Sequence, residues 1–252
     1  MNGISATNRI DEMWQPAPQV VGLIGDQVHV WAASFQQATD SDKNLKSFLG
    51  QDDLCHAERI RYDFKRESFL ASHILLRILL SIYLDRDQGE IEIGFNPWGK
   101  PVLIEKSGRN ALHFSLSRAN ELAVFAFSRN RQVGIDLEIL RPIPEAEDII
   151  EHYFSDYEKE VFKTVQPERL SEVFLRCWTR KEAYIKAKGT GLSMPLDHFD
   201  VSVAAGQPAA LLKVKDDPAE AARWRLLDLH PAPGCVAALA VEEFDWEPRF
   251  WT

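Results

Sequence analysis

The sequence has no pair of cysteines spaced to grip a metal ion or to staple a loop. Its three, Cys55, Cys177 and Cys235, are odd in number, far apart and outside any C-x-x-C pattern. Neither a disulfide framework nor a zinc site is expected, and a reducing compartment, the cytoplasm, fits. Basic residues are not in excess either: 29 Lys and Arg against 38 Asp and Glu leave a net charge of −9. That balance argues against broad, sequence-independent nucleic-acid binding, and a small anionic ligand would need a local basic cleft. The most apolar helical stretch, Ile74 to Leu84, carries Arg77 and falls short of the roughly 20 residues that span a bilayer. It is expected to be a core helix, and no membrane partner is expected. Asp11 and Glu12 interrupt the region where a signal peptide would lie, so no export signal is expected.

What the chain does have is a weak internal repeat. The alternating pattern at Val28 and Val30 returns at Val133 and Ile135, an offset of 105 residues. At the same offset Phe48-Leu49 returns as Tyr153-Phe154, and Phe69-Leu70 as Phe174-Leu175. The apolar run LAVFAFS at Leu122 to Ser128 has a counterpart, VAALAVE, at Val236 to Glu242. Phe69, His73, Leu76 and Leu80 fall at helical spacing, as do Phe174 and Trp178, and strand runs broken by Pro, Gly and Asn follow each helix. A chain of 252 residues, 45% hydrophobic, can bury one large core or two modest ones. These patterns predict two similar α+β halves, 1–131 and 132–252, packed about a pseudo-twofold axis with a concave seam. With both halves in one chain, a monomer is expected.

Two clusters carry chemistry. In QVGIDLEIL, Gln132 to Leu140, a strand would set Asp136 and Glu138 on one face. Alone, that pair is more often a solvated strand face. In CWTRKEAYIKAKGTG, Cys177 to Gly191, Glu182 and Lys186 stack four apart on a helix, a spacing that a surface ion pair of ordinary strength also gives. Arg180, Lys181, Lys186 and Lys188 crowd this stretch of an otherwise acidic chain, and a phosphate-rich ligand would neutralise them. Asp136, Glu138 and Glu182 together suit magnesium, which takes hard oxygen ligands and completes its shell with water and phosphate. NPWGKP, Asn96 to Pro101, reads as a hairpin turn whose Gly99 allows close approach and whose Lys100 can meet a phosphate. SLSR, Ser115 to Arg118, ends a strand and offers Ser117 and Arg118 to a nucleotide phosphate.

Taken in order, FNPWGKP, HFSLSRANELAVFAF, VGIDLEIL, YFSDYEKEVF and FLRCWTRKEAYIKAKGTGLSMPLDHF resemble the motif series of the Sfp-type 4′-phosphopantetheinyl transferases over most of the chain. The pair GIDLE and WTRKEAYIK carries most of the likeness. The resemblance implies transfer of the phosphopantetheine arm of coenzyme A to a serine of an apo carrier protein, with coenzyme A bound between the two halves. It implies that Asp136, Glu138 and Glu182 hold magnesium, and that Lys186, with Lys181, contacts the pyrophosphate. Gly99, Lys100, Pro101 and Ser117 would line the adenosine bisphosphate end, with Arg59 as a further basic contact. Arg118 stands where many members have His, which leaves that contact open. The serine proton would pass to Glu182, directly or through a magnesium-bound water. The stretch Tyr153 to Phe162 and the loop after Lys188 would meet the carrier. Two other classes use the same residues: a magnesium-dependent nucleotide pyrophosphohydrolase, and a binding module that holds coenzyme A or a carrier without transfer.

Overall fold

A computed structural model describes residues 14–18, 21–34, 45–104, 111–204 and 206–252. Asp11 and Glu12 lie outside the described residues. In chain order the elements are β1 (Trp14–Gln15), β2 (Gln27–Ser34), α1 (Gln51–Glu58), α2 (Asp63–Leu84), β3 (Ile93–Phe95), β4 (Pro101–Leu103), β5 (Leu112–Ala119), β6 (Leu122–Arg129) and β7 (Val133–Ile139). They continue with α3 (Ala146–Tyr153), α4 (Asp156–Phe162), α5 (Leu170–Lys188), β8 (Phe199–Val201), β9 (Leu211–Val214), β10 (Trp224–Leu229), β11 (Cys235–Glu242) and β12 (Glu247–Trp251). The fold is α+β.

The repeat read from the sequence appears as repeated pairing. One sheet runs β1-β12-β2-β6-β5 and a second runs β10-β11-β7. Within them β2-β6-β5 and β7-β11-β10 have the same order and the same antiparallel sense. Each half adds a long helix and a small hairpin, β3-β4 in the first and β8-β9 in the second. β12 crosses over: it follows β11 in sequence yet runs parallel to β2, Phe250 opposite Val30, inside the sheet of the first half.

Alternation along the strands gives each sheet two apolar faces, so each must be covered twice. Val28, Val30, Val124 and Ala126 of one sheet meet Val133, Ile135, Leu137 and Leu239 of the other in a core between the sheets. The outer face of the first sheet, with Trp31, Phe125 and Phe127, takes Leu76, Leu80 and Tyr83 of α2. The outer face of the second, with Val236, Ala238 and Ala240, takes Ala183, Tyr184 and Ala187 of α5. The layers are helix, sheet, sheet, helix. The repeated pairs Val28/Val30 and Val133/Ile135 therefore face the same central core.

α2 is longer than its apolar run. It starts at Asp63 and spans 22 residues, because the polar turn Asp63 to Glu67 forms helix as readily as the run that follows. By length and composition it could cross a membrane, with a mean hydropathy of 1.4, which the stretch read from the sequence could not; 50% of that window is buried. Its polar core residues are tied to α1: Asp53 Oδ2 accepts from Arg77 Nε at 2.6 Å, and Asp53 Oδ1 lies 2.8 Å from His73 Nδ1. The three cysteines are unpaired.

Candidate active site

β7 and α5 approach so closely because residue 134 has no side chain. A Cβ on Gly134 would sit 2.0 Å from the Ala183 carbonyl oxygen and 2.3 Å from the Ala187 nitrogen. With helix backbone laid on strand backbone, the α5 face of β7 carries Gly134, Asp136 and Glu138, while Val133, Ile135 and Leu137 point to the central core. Helical spacing places Glu182 and Lys186 over those two acids. Lys186 Nζ donates to Asp136 Oδ1 at 2.7 Å and to Ser117 Oγ at 3.0 Å. Ser117 Oγ donates to Asp136 Oδ1 at 2.9 Å. β5 of the first half thus meets β7 and α5 of the second at one carboxylate oxygen, and Ser115 Oγ accepts from the Ile135 N–H at 3.1 Å beside it.

A cavity of about 1070 Å³ opens here. Gly99, Lys100, Pro101, Ser117 and Arg118 line it from the first half, and Glu138, Glu182 and Lys186 from the second. Its electrostatics are strained in both directions. Burial, with the charges of Asp136 and Glu138, raises the Glu182 carboxyl to about 7. Burial, with Lys186 nearby, lowers the Lys100 ammonium to about 8. Burial also lowers Arg118, whose guanidinium lies over the Phe69 ring at 5.2 Å. A site of this kind holds opposite charges close together and incompletely neutralised, the condition for binding an anion with its counter-cation.

Whether a magnesium ion suits the three acids can be judged from their partners. Asp136 Oδ2 is buried and accepts no hydrogen bond, and Glu182 is hard to ionise because it is buried and because Asp136 and Glu138 are beside it. Both conditions are relieved by a cation with oxygen ligands. Against this, Lys186 occupies Asp136 Oδ1, Arg141 holds Glu138 Oε2 at 2.8 Å, and among the described residues no three such side chains converge into a ready-made metal cluster. The donor chemistry fits the ion; the acids would have to exchange partners to bind it.

The basic cluster read from the sequence is dispersed around α5. Lys186 alone of the four lines the cavity. Lys181, expected at the pyrophosphate, is wholly buried on another face: its Nζ pairs with Glu158 Oε1 at 2.8 Å and donates to the carbonyls of Leu196 and Phe199, each at 2.7 Å. Arg180 pairs with Asp228 and donates to the Ser202 carbonyl, and Lys188 pairs with Glu220 at 2.7 Å. Consecutive helix residues point about 100° apart, so closeness in sequence does not place them on one face. Arg59 is exposed at the end of α1, outside the cavity lining; it stands near His56, whose imidazole is held below its usual value by burial, then by the charges of Arg118 and Arg59.

Several lining residues were not singled out. His56 stacks between Phe69 and Phe95, with ring centroids 4.8 and 4.9 Å apart, and His73 stacks on Phe69 at 3.9 Å. The sequence held a signal for two of them, since Phe69 and His73 are four apart on one helix face, but that spacing equally marks a core. Trp98, 53% exposed, and Arg141 complete the rim.

The model of the 4′-phosphopantetheinyl transferase superfamily matches residues 132–240, the segment that carries Asp136, Glu138 and Glu182. Among known proteins, the chain is 35% identical to the 4′-phosphopantetheinyl transferase HetI of Nostoc sp. over 96% of its own length and 99% of that protein's. It is 26% identical to the 4′-phosphopantetheinyl transferase Sfp of Bacillus subtilis, over 64% of this chain and 70% of that one. It is 33% identical to the 4′-phosphopantetheinyl transferase AcpT of Salmonella typhi, over 58% and 69%. With a near full-length relative at that identity and the G-I-D-L-E strand laid against the W-T-R-K-E-A-Y-I-K helix, the chain belongs to the 4′-phosphopantetheinyl transferase family.

Proposed function

We propose that this chain moves the phosphopantetheine arm of coenzyme A to a serine of an acyl, peptidyl or aryl carrier protein and releases adenosine 3′,5′-bisphosphate. The observation that carries the reading is the junction of Ser117, Asp136 and Lys186 beneath Glu182, at a cleft where residues of both halves meet. In the reaction the serine oxygen attacks the β-phosphorus and the bond to the α-phosphate bridging oxygen breaks, so negative charge moves onto the departing bisphosphate. Lys186 and Lys100 oppose that charge from the two walls, and Ser117 and Arg118 orient the nucleotide end with Gly99 and Pro101. Glu182 takes the serine proton, directly or through a water; its carboxyl stands at about 7 without the ion, and a bound cation would lower it. Asp136, Glu138 and Glu182 would hold magnesium, which when bound supplies positive charge beside the pyrophosphate. Lys181 has no part in this contact.

Both walls of the cleft come from one chain, which supports a monomer, and three unpaired cysteines fit a reducing cytoplasm. We assign the nucleotide wall to residues 1–131 and the acidic, carrier-facing wall to 132–252, with β12 exchanged into the first. On the second wall Tyr153 and Tyr157 are 59% and 39% exposed while Phe154 and Phe162 are buried, so the tyrosine face of α3 and α4 is the one available to a carrier.

The test is to incubate the protein with coenzyme A, magnesium and a panel of apo carrier proteins and to measure intact carrier mass. A phosphopantetheine gain that disappears in Glu182→Ala and without magnesium is expected. Coenzyme A split to bisphosphate without any carrier gain would favour the pyrophosphohydrolase, and binding without chemistry would favour the holding module.

A further inference from the structure

The turn between β3 and β4 belongs to the first half, yet its tip rests on the end of α5 in the second. Asn96 makes the connection with every polar atom of its side chain. Its Oδ1 accepts from the backbone N–H of Trp98 at 3.0 Å and of Lys100 at 2.9 Å, which closes the turn. Its Nδ2 donates to the Gly189 carbonyl at 2.7 Å, across 93 residues of chain. The surfaces are fitted there. Gly189, at φ 69°, ends α5, and a Cβ on it would stand 3.2 Å from Asn96 Nδ2 and 3.6 Å from Lys100 Cδ. A Cβ on Gly191, at φ 53°, would stand 3.1 Å from Trp98 Cβ and 3.4 Å from its carbonyl oxygen.

The geometry has a consequence for the cleft. Lys100 leaves the turn and Lys186 leaves α5 one turn before Gly189, and both line the same cavity. Lys186 is paired with Asp136, and Lys100 Nζ reaches across the seam to the Val133 carbonyl at 3.3 Å, so the aim of Lys100 depends on where the turn is held. We propose that Asn96 is a positioning residue: its bond to the Gly189 carbonyl seats the β3–β4 turn on the end of α5 so that Lys100 and Lys186 face one pyrophosphate. The proposal rests on the transferase reading for what the cleft binds, but not for the clamp itself.

Asn96→Asp separates the two jobs of the side chain. It keeps the oxygen that closes the turn and sets a second oxygen against the Gly189 carbonyl, where a donor is required. Asn96→Ala removes all three bonds. In Asn96→Asp the KM for coenzyme A should rise about tenfold, the order expected when a partly buried carbonyl loses its donor. The carrier KM should stay within about twofold of wild type, while kcat falls as well, since Lys100 and Lys186 also oppose the charge that develops in transfer. Amide hydrogen exchange at residues 189–191 should quicken in both variants, and at 98–100 chiefly in Asn96→Ala. A wild-type KM for coenzyme A in Asn96→Asp would overturn the positioning role, and unchanged exchange at 189–191 would overturn the clamp whatever the activity. A wild-type protein that transfers nothing would sink the transferase reading instead, with the exchange comparison still deciding the clamp.

Discussion

Residues that look alike in the sequence differ here by the face on which they land. Lys181 and Lys186 sit five positions apart on α5, yet one is sealed against Glu158 and the other opens to the cleft. The two Met replacements should therefore be told apart by transfer rather than by stability. Lys181→Met leaves Glu158 buried without its partner and should cost about 3–5 kcal/mol of stability in denaturant unfolding. Lys186→Met takes the cation from buried Asp136, so it too should lower the unfolding midpoint, but it should also reduce transfer by about two orders of magnitude or more, the effect of removing one stabilising charge. Lys100 gives a pH signature. Its free-state value of about 8 means that it loses its charge as pH rises past that point, while phosphate groups are already fully ionised. The KM for coenzyme A should climb several-fold between about pH 7.5 and 9.5, and Lys100→Arg, which stays charged, should flatten the curve. A Lys100→Arg profile as steep as wild type would assign the titration elsewhere.

At the scale of elements, the contact between β7 and α5 decides the geometry of the acids, and one glycine permits it. Gly134→Ala places a methyl carbon into backbone atoms of α5 rather than against a flexible side chain. The helix must move. We expect a stability loss of about 1–3 kcal/mol or more from overpacking, with a fall in transfer larger than stability alone explains, because Glu182 and Lys186 ride on the displaced helix. Unfolding midpoint and kcat/KM measured on the same preparation would check this; a variant with normal kcat/KM would show that the helix spacing does not matter. The strand and helix periods that define both elements were legible, and so was the shared face of Asp136 and Glu138. That this polar face lies under a helix rather than in water was not. Gly134 reads in sequence as a weak spot in a strand, and only the packed helix shows why a side chain is excluded there.

For the whole molecule, β12 binds the halves together. It lies between β1 and β2 of the first sheet, and Phe250 packs in the central core with its ring 5.3 Å from that of Trp14. Phe250→Ala should cost about 3–5 kcal/mol, and calorimetry should still show one transition, since both halves share the central core. Two separated transitions would mean that the halves fold independently. The sequence by itself determined the two-half α+β plan, the repeated strand and helix patterns, and the order of motifs that marks the family, because periodicity and spacing are local properties written along the chain. The tertiary structure decided the rest: which of four clustered cations reaches the cleft, how Ser117 comes to share an oxygen of Asp136 with Lys186, how Asn96 reaches Gly189, and that the last strand crosses into the first sheet. These depend on contacts between segments far apart in sequence, and such contacts are set by how faces pack, which no local pattern records.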